Sequence, residues 1–118
     1  MTSVFAKQKT LVLFWNPGCG FCAQMLEDLK AWERQLPAGA PQLLVVSTGA
    51  VETNRQMGLR SVVVLDEGFQ VGQRFGAQGT PSGVLVQEGK IASPLAVGAP
   101  GVWALARGEQ ISPAGASQ

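Results

Sequence analysis

The chain has no histidine and no tyrosine. Without histidine there is no imidazole base, and most zinc and haem sites lose their usual ligand. Charge is scarce as well: charged residues make up 14% of the 118, and the formal net charge is +1. That balance directs the chain neither to nucleic acid nor to an anionic surface. Only two cysteines are present, too few to staple a small secreted scaffold. No run approaches the roughly 20 apolar residues that a membrane span needs. Lys7 and Lys9 precede Leu11-Val12-Leu13-Phe14-Trp15, which imitates the opening of a signal peptide. A signal core wants about 7–15 apolar residues. This run is shorter and leads into a cysteine pair instead of a cleavage site, so it reads as a strand. The expected setting is either the cytoplasm or a domain of a larger exported or membrane-anchored chain.

What the sequence does have is a 46% apolar fraction in 118 residues, enough for one domain with a useful core. Both thiols lie in Phe14-Trp15-Asn16-Pro17-Gly18-Cys19-Gly20-Phe21-Cys22. There an apolar run ends and a helical pattern begins. Residues i and i+3 of a first helical turn share a face, so Cys19 and Cys22 can close a disulfide with little backbone movement. Unpaired N–H groups and the helix dipole at that end favour thiolate over thiol, and the thiolate is the attacking species. The alternatives are two ordinary core cysteines or a structural disulfide. Zinc needs four ligands, so only a dimer would complete a site from two thiolates.

In chain order, Leu11–Trp15 is a strand buried on both faces. Asn16-Pro17-Gly18 is a turn. A helix is expected over Gly20–Leu36, with Phe21, Cys22, Met25, Leu26, Leu29, Trp32 and Leu36 on its apolar side. Pro37, Gly39 and Pro41 stop it. Leu43–Ser47 is a second buried strand, Gly49–Met57 a short helix and Ser61–Leu65 a third strand. Asp66 caps a segment over Val71–Phe75. Gly83–Gln87 and Lys90–Ser93 flank Glu88-Gly89 as a tight hairpin. Pro100 opens a last helix with Val102, Leu105 and Ala106 buried, stopped by Gly108. Trp32 and Trp103 are expected in the core. The alternation implies an α/β fold with a mixed sheet, parallel at its centre and antiparallel at one edge. Residues 1–9 are an N-terminal extension, 10–108 the domain and 109–118 a flexible tail.

Cys19-Gly20-Phe21-Cys22 after Phe14-Trp15, with Gly79-Thr80-Pro81 before a hairpin and a final helix, resembles the thioredoxin superfamily. Cys-x-x-Cys beside a βαβ pattern is the general sequence signature of that fold. The extra strand and helix between Cys22 and Pro81 resemble the TlpA-like and redoxin branch. The resemblance covers about Thr10–Gly108. It implies a thioredoxin-like fold with a central mixed sheet flanked by helices and a thiol-disulfide oxidoreductase activity. It also implies an extracytoplasmic, periplasmic setting, often anchored to a membrane. Cys19 resembles the exposed attacking cysteine and Cys22 the buried resolving one. Pro81 resembles the cis-proline facing the disulfide, although X-Pro bonds at large are cis in only about 5% of cases. Thr80 resembles the residue whose backbone pairs with a substrate strand, and Trp15 the aromatic beside the active site. Two positions depart from the family. Leu13 stands where thioredoxin has a buried acid, and Met25 where some TlpA-like proteins carry a glutamate. The proton acceptor for Cys22 is then water or a carboxylate such as Glu27.

The expected activity is thiol-disulfide exchange with protein disulfides through the Cys19-Gly20-Phe21-Cys22 dithiol. A substrate strand would lie along Thr80 and Pro81, with Trp15 and Phe21 supplying apolar surface. No cofactor and no metal are implied. The partners are a protein thiol or disulfide and an upstream redox protein, with no nucleic acid and no membrane span, and the chain is expected to be a monomer. The alternative is a binding module of the same fold with idle cysteines.

Overall fold

A computed structural model of the chain describes residues 9–36 and 39–109. Most of the expected N-terminal extension and tail, and Pro37, lie outside the described residues. Strand β1 (Thr10–Trp15) is buried along its whole length. It lies at the centre of the sheet, between β2 (Gln42–Ser47) in parallel and β4 (Ser82–Gln87) in antiparallel. Strand β3 (Val62–Leu65) extends the parallel side beyond β2, and β5 (Lys90–Ile91) the antiparallel side beyond β4. A short β6 (Ala96–Val97), which the sequence pattern did not separate, also pairs with β4. The order is β3-β2-β1-β4-β5, the mixed sheet expected from the alternation of elements.

The continuous apolar run of β1 exists because side chains alternate across a strand and both faces are covered. Leu11, Leu13 and Trp15 enter one core with Cys22, Met25, Leu29, Val102 and Leu105. Val12 and Phe14 enter a second with Val46, Ala77 and Val84, where Phe69 and Phe75 pack on Phe14. Leu13 is wholly buried; truncating such a leucine to alanine costs about 2–5 kcal/mol.

Helix α1 (Gly20–Arg34) crosses the first core. Cys22, Met25 and Leu29 form its buried stripe, and Leu26 and Trp32 pack half-buried beside it. Two expected members of the stripe face solvent: Phe21 is 69% exposed and Leu36 57%. Leu36 lies past the end of the helix, and Phe21 projects from its first turn beyond the rim of the core. Helix α2 (Val51–Gln56) joins β2 to β3. A 3₁₀ turn (Glu67–Phe69) and α3 (Gln70–Arg74) follow β3. Buried Asp66 organises that segment by accepting hydrogen bonds from the amides of Val71 (2.9 Å) and Gly72 (3.0 Å). The β4–β5 hairpin turns through Glu88 and Gly89, both at positive φ (53° and 76°). This is the backbone that a two-residue hairpin requires.

Helix α4 (Gly98–Ala106) begins directly after β6. A Cβ at Gly101 would stand 3.1 Å from that of Ala96, so the missing side chain lets α4 lie close on the sheet. Val102, Leu105 and Ala106 are buried as expected. Trp103 is half-buried and meets Trp32 edge-on, ring centres 6.4 Å apart. The two tryptophans thus seal the rim between α1 and α4 and do not fill the core. Glu33 ties α1 to the loop before β3. Its carboxylate accepts the Arg60 and Ser61 amides, each at 2.9 Å, and the Ser61 hydroxyl.

Candidate active site

The turn after β1 delivers Cys19 to the mouth of α1. Asn16 Oδ1 accepts the Gly18 amide and Asn16 O the Cys19 amide, both at 2.9 Å. This side-chain-closed turn is what asparagine favours at such a position. Cys19 is the N-cap residue, extended at φ −84° and ψ 127°. Its thiol is half-exposed, while that of Cys22, one turn on, is wholly buried; both are free thiols.

The second component arrives from the start of β4. The Thr80–Pro81 peptide bond is cis. Pro81 O accepts the Gly98 amide (2.8 Å) and Gly79 O the Ser82 hydroxyl (2.9 Å), fixing the loop from both sides. The Cys19 thiol donates to Thr80 O at 3.3 Å, across 61 residues of sequence. Beside this contact a groove of about 620 Å³ runs between α1 and α4. Phe21 and Val97 stand at its edges, 69% and 68% exposed, with Met25, Pro81 and Trp103 among the residues beneath them.

The two thiols have opposite electrostatics. Burial pushes the Cys19 thiol up. The Thr80 side chain, the Cys22 amide and side chain and the Phe21 amide outweigh that effect, so Cys19 titrates below the ordinary 9.0. Burial dominates at Cys22 and pushes it up to about 11. The Asn16 amide and the Thr80 side chain offset this in part, and neighbouring Cys19 adds to the rise. No carboxylate contributes. Glu27 is 81% exposed and lies 3.9 Å from Lys30, and it is not among the groups that shift Cys22. Leu13 and Met25 are both buried in the core around Cys22.

The structure therefore brings Cys19, Cys22, Phe21, Thr80 and Pro81 together. It does not bring Trp15 to the surface. That side chain is 1% exposed, and its indole N–H donates to Met57 Sδ at 3.0 Å. The expected apolar platform at Trp15 is corrected: the alternation of β1 turns it inward with Leu11 and Leu13, beneath the site. Sequence reasoning missed the Thr80 side chain, which favours ionisation of both thiols. It also missed the α4 wall of the groove. Pro100 marked the start of that helix, but nothing local places it opposite α1. Among the described residues no three metal-ligating side chains gather.

Comparison with family models and with curated proteins gives no match. Solved structures do match. A candidate thioredoxin from Neisseria meningitidis is 28% identical, at a TM-score of 0.71, over 90% of this chain and 75% of that one. The chain is a member of the thioredoxin superfamily. Two further structures share the thioredoxin fold at lower identity. A candidate thiol:disulfide interchange protein DsbE from Chlorobium tepidum is 23% identical (TM-score 0.67), over 82% of this chain and 72% of that one. A secreted disulfide oxidoreductase of Mycobacterium tuberculosis is 16% identical (TM-score 0.67), over 93% and 78%. Against the thioredoxin fold, the junction of β1 and α1 and the loop before β4 are the two elements that converge on Cys19.

Proposed function

We propose that this thioredoxin-fold domain exchanges electrons with protein disulfides through Cys19 and Cys22. One observation carries the reading. A half-exposed thiol with lowered pKa sits at a helix mouth, with a buried partner one turn below and the Thr80–Pro81 loop against it. Cys19 thiolate attacks one sulfur of a substrate disulfide, forming a Cys19–substrate mixed disulfide and releasing the other sulfur as a thiolate that takes up a proton. Cys22, once deprotonated, attacks Cys19 Sγ. The substrate leaves as a dithiol, and the two electrons it gained leave a Cys19–Cys22 disulfide in the domain. A dithiol redox partner restores the reduced pair by the same steps, and the sequence runs in reverse when the substrate is the dithiol. The substrate segment lies extended along the Thr80 backbone, over Pro81, with an apolar side chain against Phe21. The secreted disulfide oxidoreductase among the similar structures supports an extracytoplasmic placement, and the TlpA-like reading rests on the motif resemblance.

The test is insulin reduction with a general reductant as electron source, comparing the parent with Cys19→Ser. The parent is expected to turn over and the variant to lose turnover. Equal rates in both, or none in either, would leave only a binding module of this fold.

A further inference from the structure

The two edges of the sheet are treated differently. Edge strand β5 has two residues, one of them Lys90, which blunts it against further pairing. Edge strand β3 is Val62-Val63-Val64-Leu65, with no charge and no proline. Val62 is 56% exposed, Val64 44% and Leu65 43%, so among the described residues the high-propensity edge that natural sheets usually protect is left open. Its outward groups follow from one hydrogen bond. The Asp66 amide donates to Ser47 O of β2 at 2.7 Å. The N–H and C=O of one residue share a side and successive residues alternate. Val62 and Val64 therefore pair inward with β2, and Val63 and Leu65 turn their backbone groups outward.

We infer that β3 is the docking edge for a second copy of this chain, joined antiparallel about a two-fold axis at Val63. A two-fold interface must be self-complementary, and this register is. Val63 exchanges N–H···O=C bonds with Val63 of the second copy, and the Leu65 amide meets Ser61 O of the second copy. The Ser61 amide is already held by Glu33, so the ladder ends there. Each exposed Val62 faces an exposed Val64 on the same face of the joined sheet. Leu65 of the second copy lies over Ser61, at a groove of about 360 Å³ lined by Val51, Arg55, Leu59 and Ser61. Charge matches too. Arg60 of one copy falls beside Asp66 and Glu67 of the other; Asp66 is buried and committed to two amides, so exposed Glu67 takes the guanidinium. Among the described residues neither Arg60 nor Glu67 has an ion-pair partner within its own chain. The edge lies apart from Cys19, so pairing leaves the redox groove open.

Sedimentation equilibrium of the full chain under reductant, across a concentration series, tests this independently of any redox activity. The mass is expected to rise to twice that of one chain. Val64→Lys, at a half-exposed position, should abolish the rise. Arg60→Glu and Glu67→Arg should each weaken association about tenfold, since two exposed pairs are lost per dimer, and the doubly swapped chain should recover it. A single-chain mass at every concentration would overturn the inference. So would a dimer indifferent to Val64→Lys or a double swap that fails to recover. Association appearing only after removal of residues 1–8 would assign the edge to that segment instead and overturn it equally.

Discussion

In the reduced protein, a brief pulse of substoichiometric iodoacetamide should modify Cys19 and leave Cys22 nearly untouched. The size of the preference can be worked from the two environments. Cys22 is pushed up to about 11 and Cys19 lies below 9.0, a separation of at least about two units. Below pH 9 each unit is a factor of ten in thiolate, so Cys19 holds at least about a hundredfold more of the reactive form. Intrinsic nucleophilicity falls as pKa falls, with a Brønsted slope of about 0.4–0.5. That returns a factor of about 6–10 to Cys22. The net preference from ionisation alone is at least about tenfold, and the complete burial of Cys22 adds to it. Peptide mapping by mass spectrometry after the pulse measures the ratio, and repeating it against pH gives the Cys19 titration midpoint. Equal or faster labelling of Cys22, or a Cys19 midpoint at or above 9.0, would refute the assignment of attacking and resolving roles.

Three further outcomes are expected. Thr80→Val removes the side chain that favours the Cys19 thiolate and should move that midpoint upward; an unmoved midpoint would take the hydroxyl out of the site. The raised Cys22 pKa stabilises the reduced fold fully below pH 9. That stability is lost as pH rises through about 11, because the unfolded chain releases a proton that the folded one keeps. Relative to Cys22→Ala, urea denaturation of the reduced parent should lose about 2–3 kcal/mol across that window, and parallel pH profiles would contradict it. Asp66→Ala leaves two buried-side amides without their acceptor and should cost about 2–4 kcal/mol in the same assay. A loss below about 1 kcal/mol would mean that solvent replaces the carboxylate.

Those predictions rest on residues that the sequence exposed unevenly. Leu11–Trp15, Leu43–Ser47 and the Glu88-Gly89 turn were legible because the signal is local: a continuous apolar run, or two residues that accept positive φ. The helix after the cysteines was legible by its period, but its ends were not. The rule that groups Phe21 and Leu36 with Cys22 and Leu29 says nothing of where the core stops. Trp15 was misread for a related reason. A tryptophan at a strand end beside two thiols looks like a surface feature until the parity of β1 sends it inward to Met57. The Cys19–Thr80 contact joins residues 61 apart. Only the motif resemblance suggested that they meet, and nothing in the sequence showed the Thr80 side chain serving both sulfurs. The bareness of β3 was invisible as well, since an exposed valine run and a buried one read alike.

The apolar seat of Cys22 has a kinetic corollary. In the proposed exchange, with Leu13 and Met25 in the core around it and no acid contributing to its titration, Cys22 gives its proton to solvent before it attacks Cys19 Sγ. A client bound to Cys19 is then held longer as the medium becomes more acidic. Acid quenching of a working mixture would thus harvest the domain with its clients still covalently attached, with no need for a cysteine-deleted trap.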